Sequence, residues 1–166
     1  MKIIPSDTIE IVTSLTIKEV KDILDNNIQP KVKFDFSFSN KHKVFEGFLK
    51  QDSFEIQRII RGRNSFIPQI KGKIKSNNNG STLMVELKMN QFVIVFVIIW
   101  LGITGVSFFV SLFAVFNQGL NPIAAIGPAV MIAFAFGLMN YGYNSEKKKA
   151  IEALEKILKG KMHSAF

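Results

Sequence analysis

The sequence predicts an α+β membrane protein: an N-terminal antiparallel meander sheet with one helix, a two-helix transmembrane hairpin, and a short C-terminal amphipathic helix. Three observations predict it. From Gln91 to Ser145 the chain contains no Asp, Glu, Lys or Arg, an apolar block too long for one core element of a small soluble fold. Before the block, the apolar residues change from a helical period to strict alternation. After it, "SEKKKAIEALEKILKG" repeats apolar residues at helical spacing. The expected units are a cytoplasmic α+β domain at 1–90, a helical hairpin at 91–144, and an amphipathic helix and tail at 145–166.

The elements follow in order. In "TIEIVTSL", Ile9 and Ile11 mark a short strand. "TIKEVKDILDNNIQP" reads as a helix, with Thr16 and Glu19 spaced as a capping box. Its apolar face is Ile17, Val20 and Leu24, extended by Ile28, and it ends at Asn26–Asn27 and Pro30. From Lys31, "KVKFDFSFS" alternates as a half-buried strand. "KVFEGFLK", "FEIQRII", "FIPQIKGKIK" and "TLMVELKM" read as four more strands, with Asn79–Gly80 as the hairpin signal before the last. Phe34, Phe36, Phe38, Phe45, Phe54 and Phe66 are expected to supply most of the core. Pro68 marks an edge or a bulge, and Gly47 and Gly72 mark bends.

The apolar block divides into spans at 92–116 and 123–143, each of the roughly 20 residues that a bilayer core requires. The linker "NQGLNP" is polar and uncharged. Asn121 is placed to cap the second helix, and Pro122 suits a first helical position. Lys88 precedes the first span and Lys147, Lys148 and Lys149 follow the second. Positive charge marks the cytoplasmic side, so both termini are expected in the cytoplasm, at the inner membrane. Tyr141 and Tyr143 are expected at the headgroup level. "MKIIPSDTIEI" lacks the apolar run and cleavage site of a secretory leader, so the apolar block is expected to direct its own insertion. In the final segment, Ser145 is the expected cap, Ile151, Leu154 and Leu158 line one face, and Gly160 is the stop.

Two stripes on the spans carry competing readings. Ala125, Ala129, Ala133 and Gly137 recur every four residues, which lets helices approach closely, within the hairpin or between copies in a homo-oligomer. Thr104, Ser107 and Ser111, below Trp100, present hydroxyls that bond back to their own helix or line a pore. No ionisable residue accompanies them, which argues against a proton or ion pathway.

Charge offers the remaining candidates. The chain carries a net charge of +8 and no cysteine, so it has neither a disulfide frame nor a thiolate metal site. All of its arginines lie close together: Arg58, Arg61 and Arg63. Arg58 falls on the inward face of its strand, where it either pairs with an internal acid or holds an anionic ligand. Arg61 and Arg63 belong to the following connection and are ligand candidates with it. Lys71, Lys73 and Lys75 alternate outward. Together with Lys147, Lys148 and Lys149 they are candidates for contact with anionic lipid headgroups. The strip lacks interleaved aromatics, so nucleic acid is not expected as a partner. His42 and His163 lack partners at ligand spacing, and no nucleophile or phosphate-loop pattern occurs. No catalytic residue, metal ligand or cofactor site is therefore nominated.

The stretch "RNSFIPQIKGKI", followed by a polar turn, a strand and an apolar span, resembles a group of small bacterial membrane proteins with a β-rich cytoplasmic domain and two spans. The resemblance carries over no catalytic residue. It implies only that Asn64, Ser65, Phe66, Pro68 and Gly72 form a shared structural turn and strand. The expected role is a non-enzymatic sensing or interaction module anchored in the lipid bilayer. The alternatives are an oligomerising, membrane-perturbing or pore-forming effector, and a domain that binds a lipid or small anion between helix and sheet.

Overall fold

The computed structural model describes residues 4–30, 43–60, 62 and 64–164. The strand expected in "KVKFDFSFS", with Phe34, Phe36 and Phe38, lies outside the described residues, as do Arg61, Arg63 and His42. The chain forms β1 (Ser6–Thr13), α1 (Ile17–Asn27), β2 (Ile28–Gln29), β3 (Phe45–Lys50), β4 (Ser53–Arg58), β5 (Gln69–Asn77), β6 (Gly80–Lys88), α2 (Gln91–Gln118), α3 (Ile123–Leu158) and β7 (Lys161–Ser164). This is a mixed α+β fold with one seven-stranded sheet, ordered β2-β3-β4-β5-β6-β1-β7, and two long apolar helices.

The sheet exceeds the expected meander at both edges. β2 joins β3 in parallel, and β7 from the C-terminal tail pairs antiparallel with β1. The meander from β3 to β6 is as the alternation predicts, and β1 closes beside β6 from Ser6↔Lys88 to Thr13↔Ser81. The β5–β6 turn differs in detail from expectation. Asn77 pairs with Gly80, so Asn78 and Asn79 form the turn and Gly80 already belongs to the strand.

One face of the sheet is buried. Ile9 and Ile11, Phe54 and Ile56, Ile70 and Ile74, and Leu83, Val85 and Leu87 share it. α1 covers part of this face with Val20 and Leu24. Its capping box forms as expected: the Thr16 hydroxyl accepts from the Glu19 N–H at 3.3 Å, and the Glu19 carboxylate accepts from the Thr16 N–H at 2.8 Å. The Thr16 N–H and the Thr16 hydroxyl, each donating to Glu19 Oε2 at 2.8 Å, hold the Glu19 carboxyl below its ordinary pKa. Among the described residues the core is chiefly aliphatic. Phe45 and Phe54 are buried in it and Phe66 is half-buried against it. Gly72 is a seat for a ring: a Cβ there would stand 2.1 Å from Cζ of Phe54, its neighbour on β4. Pro68 is buried just ahead of β5, where its missing N–H removes no ladder bond.

The other half of the core comes from α3. The expected break at Ser145, with a separate amphipathic helix beyond it, does not occur. α3 runs unbroken from Ile123 to Leu158. The Ser145 hydroxyl donates to the Gly142 carbonyl at 3.2 Å inside the helix and caps nothing. No proline or glycine stands between Tyr143 and Leu158, and Tyr143, Ala150, Ile151, Leu154 and Leu158 all bury against the sheet. One apolar stripe therefore holds the extension helical. It ends at Lys159, whose backbone is left-handed (φ 48°), one residue ahead of the expected Gly160.

α2 and α3 pack on each other and turn most of their apolar side chains outward. Phe92, Phe96, Phe109, Phe116, Ile123 and Phe134 are exposed, Phe92 by 87%. In the linker, Asn121 Oδ1 accepts from the Ile123 N–H at 3.0 Å, as a cap would, with Pro122 in helical backbone. The four-residue stripe on α3 does not face α2 along its length. Ala125 is buried and Ala129 half-buried, but Ala133 and Gly137 are exposed, and the seam passes instead through Ala135 and Met139. A four-residue step advances about 40° past a full turn, so four such residues drift off a straight seam. On α2, Thr104 is buried and its hydroxyl donates to the Trp100 carbonyl at 2.9 Å, whereas Ser107 is exposed and Ser111 half-buried. The three lie within about 60° of one another around the helix, and the stripe runs from the seam at Thr104 out to the exposed Ser107.

Candidate functional site at the helix–sheet junction

α3 lies along the strands. Tyr143 meets Asp7 and Leu87 at one end of the sheet, and the Leu158 carbonyl accepts from Thr13 Oγ1 at 2.7 Å at the other. Asp7 to Thr13 spans about 20 Å of strand, and Tyr143 to Leu158 about 22 Å of helix. The matching lengths set the helix axis nearly parallel to β1. The apolar part of α3 therefore leaves the sheet from its Asp7–Leu87 end. α2 starts at the same end, two residues beyond β6.

Four side-chain contacts clamp α3 there. Tyr143, expected at a headgroup surface, is fully buried because the sheet covers it. Its hydroxyl lies 2.9 Å from the Leu87 carbonyl and 3.1 Å from Asp7 Oδ2, so both acceptors share one proton. Lys147 pairs with the same Asp7 oxygen at 3.0 Å. Arg58, at the inward end of β4, directs Nη2 onto Glu146 Oε2, and Lys149 takes Glu146 Oε1 at 3.0 Å. Of its two expected partners, Arg58 meets the internal acid. Burial pushes the Glu146 carboxyl up, but the hydrogen bonds from Arg58 and Lys149 outweigh it and hold the group below its ordinary value. Arg58 Nε is buried without a hydrogen-bond partner among the described residues.

The fourth contact comes from the β4–β5 connection. Asn64 Nδ2 donates to the Gly142 carbonyl at 3.2 Å, and its Oδ1 accepts from the Phe66 N–H at 3.0 Å. A Cβ on Gly142 would lie 2.9 Å from Phe66 Cδ2. Glycine is the residue that lets this connection lie against α3.

The junction thus gathers Arg58, Lys147 and Lys149 from the expected candidates and leaves others apart. Lys148 is exposed and makes no ion pair among the described residues. Lys71, Lys73 and Lys75 stand on the opposite, outer face of the sheet, where Lys71 pairs with Glu55 at 3.2 Å. The sequence reading missed Asp7, Tyr143 and Glu146 as a set. Glu146 is the first charge after the apolar block and lies three residues from Tyr143, one helical turn, a signal that an inward arginine needed an acid on this helix. Among the described residues, no group of three or more His, Asp or Glu could hold a metal ion. Compared with family models, with curated proteins and with solved structures, the chain matches none.

Proposed function

We propose that the protein is a membrane-anchored, non-enzymatic sensing or interaction module on the inner face of the cytoplasmic membrane. One observation carries this reading: α3 is a single helix shared by the outward-facing apolar pair and the core of the sheet. The uncharged segment of α3 from Ile123 to Tyr143 is about 32 Å long, and a bilayer core is about 30 Å thick. The side chains it exposes would otherwise present a large apolar surface to water. Helix and sheet then move as one body, because α3 is pinned at both ends of β1.

The same geometry redistributes the lipid contacts. Lys71, Lys73 and Lys75 stand at the levels of Thr8, Glu10 and Val12 through the β5–β6–β1 register. They are about 3, 10 and 17 Å beyond Asp7 along the strands. Screening at physiological salt acts over about 8 Å. Attraction to anionic headgroups therefore falls chiefly to Lys148, since Lys147, Lys149 and Lys71 are paired with Asp7, Glu146 and Glu55, and Lys73 and Lys75 face the cytosol.

The absence of native cysteine allows a direct test. In a bacterial inner membrane, Asn121→Cys should react with an impermeant maleimide from outside, and Ser53→Cys only after permeabilisation. Reaction of Ser53→Cys in intact spheroplasts overturns the orientation, and release of the protein by alkaline carbonate overturns the anchoring. Coupling is tested by hydrogen exchange in nanodiscs of short- and long-chain lipid. Protection at Ala150–Leu158 should change with thickness and lose that dependence when Gly-Ser-Gly is inserted after Asn144. Protection indifferent to thickness in the unmodified chain refutes the sensing role. The outward Ala133 and Gly137 favour one second reading, an oligomerising membrane effector. A nanodisc oligomer that Ala133→Leu dissolves would select it.

A further inference from the structure

The outer face of the sheet holds a concavity of about 580 Å³, within the size range of small-molecule sites. Its lining includes Phe48 on β3 and Met84 on β6, each 44% exposed on a mostly polar face. Lys71, Lys73, Lys75, Ser53, Thr8, Glu55 and Glu86 surround them. The rim charges are not equivalent. Lys71 is neutralised by Glu55 at 3.2 Å, and Glu86 by Lys88 at 2.7 Å. Lys73 and Lys75 have no acidic partner among the described residues. They also border a smaller recess of about 240 Å³ beside Gln51 and Asp52, where Asp52 is already taken by Lys21 at 2.7 Å.

We propose that this concavity binds a water-soluble organic anion with an apolar body, such as an aromatic carboxylate. The ring would lie against Met84, with Phe48 facing it from three strands away across the concavity, and the anionic group between the Lys73 and Lys75 ammoniums. Apolar side chains and two cations without an acidic partner among the described residues line one cavity, and an ammonium near a surface favours an anion without demanding a fixed geometry. The position along the strands selects a soluble ligand over a lipid, because both lysines stand well beyond the membrane end of the sheet. Binding of the anion uses only the sheet and goes beyond the anchoring role, whereas the choice of a soluble ligand over a lipid rests on that role.

The test uses the full chain carrying ¹³C-methyl methionine in zwitterionic nanodiscs, with 2-naphthoate as the probe and 2-naphthalenemethanol as its neutral counterpart. Met84→Leu assigns the Met84 methyl signal. Naphthoate should shift Met84 saturably and leave Met131, on the exposed side of α3, unmoved. Lys73→Gln/Lys75→Gln should weaken binding by about tenfold, the effect of two exposed charge contacts, with an unchanged melting temperature. The neutral alcohol should bind at least as weakly to the unmodified chain as naphthoate does to that variant. No saturable Met84 shift, an equal shift at Met131, or undiminished affinity in the double variant each overturns the proposal. So does a Met84 shift produced by anionic phosphatidylglycerol nanodiscs without naphthoate, which would make the ligand a lipid.

Discussion

Replacing Arg58 with methionine isolates the ion pair that joins β4 to α3. Arg58 and Glu146 side chains are 21% and 8% exposed, so the acid is the more deeply desolvated partner. Removing one member of a buried pair costs about 3–5 kcal/mol because the other is left uncompensated. Here Lys149 remains on Glu146 Oε1 at 3.0 Å, which reduces the expected loss to about 2–3 kcal/mol, or roughly 5–10 °C in melting temperature. The double variant Arg58→Met/Glu146→Met removes both charges and fills similar volume. It should recover most of the loss, since apolar replacements of a whole buried pair are close to neutral. Denaturant unfolding of the nanodisc-held protein, followed by the sheet signal in circular dichroism, gives the four corners of a double-mutant cycle. A coupling energy below about 0.5 kcal/mol would refute the pair as a structural clamp. Arg58→Met leaving stability unchanged while Glu146→Met alone is costly would refute it equally.

Three further outcomes follow from named contacts. The folded-state pKa of Glu146 is depressed below its ordinary 4.5, so its contribution is complete above that value and is lost as the pH falls through the folded value. Unfolding curves between pH 7 and 3 should show a loss of stability on acidification that is smaller in Arg58→Met. Tyr143→Phe removes the hydroxyl shared by Leu87 and Asp7 and should cost about 1–2 kcal/mol in the same unfolding assay. Gly72→Ala places a methyl 2.1 Å from the Phe54 ring and should cost about 1–3 kcal/mol, partly recovered by Phe54→Leu; an undiminished midpoint for Gly72→Ala would show that the ring has no fixed seat.

What could be read from the sequence was local. Alternation placed β3 to β6, and the Thr16–Glu19 spacing placed the start of α1, because both patterns depend on neighbours a few residues apart. What escaped was set by distant surfaces. Residues 145–158 carry a helical pattern that fits a separate amphipathic helix as well as the continuation of a span. Only the match between the stripe from Tyr143 to Leu158 and the buried face of the sheet decides between them. β7 is four residues with little apolar character and exists because β1 offers an unpaired edge. Arg58 was recognisable as inward, yet Glu146 lies 88 residues away, and no local period links the two. The stripe of small residues follows α2 only at Ala125 and Ala129 for a geometric reason: a strict repeat of four precesses around a helix with 3.6 residues per turn.

In the proposed setting, the position of Asp7 would make the junction transmit displacement instead of absorbing it. Asp7 is the second residue of β1, which lies between β6 and β7, and it binds both Tyr143 and Lys147 on successive turns of α3. A hinge needs a few residues free to change backbone angles, and neither connection supplies them. β6 passes into α2 through Met89, which is buried, and Asn90, whose side chain caps the helix by accepting from the Phe92 N–H at 2.9 Å. α3 crosses the same level without a break. A change in tilt of the apolar pair must therefore be borne by the sheet as a rigid rotation, or must break the Asp7, Glu146 and Asn64 contacts together. Those contacts are polar and partly buried, so separating them has a discrete cost instead of a gradual one. In the proposed setting that gives the junction two arrangements, clamped and released. A ligand on the outer face or a partner on the sheet would need to favour only one of them to change the tilt of the helices in the membrane.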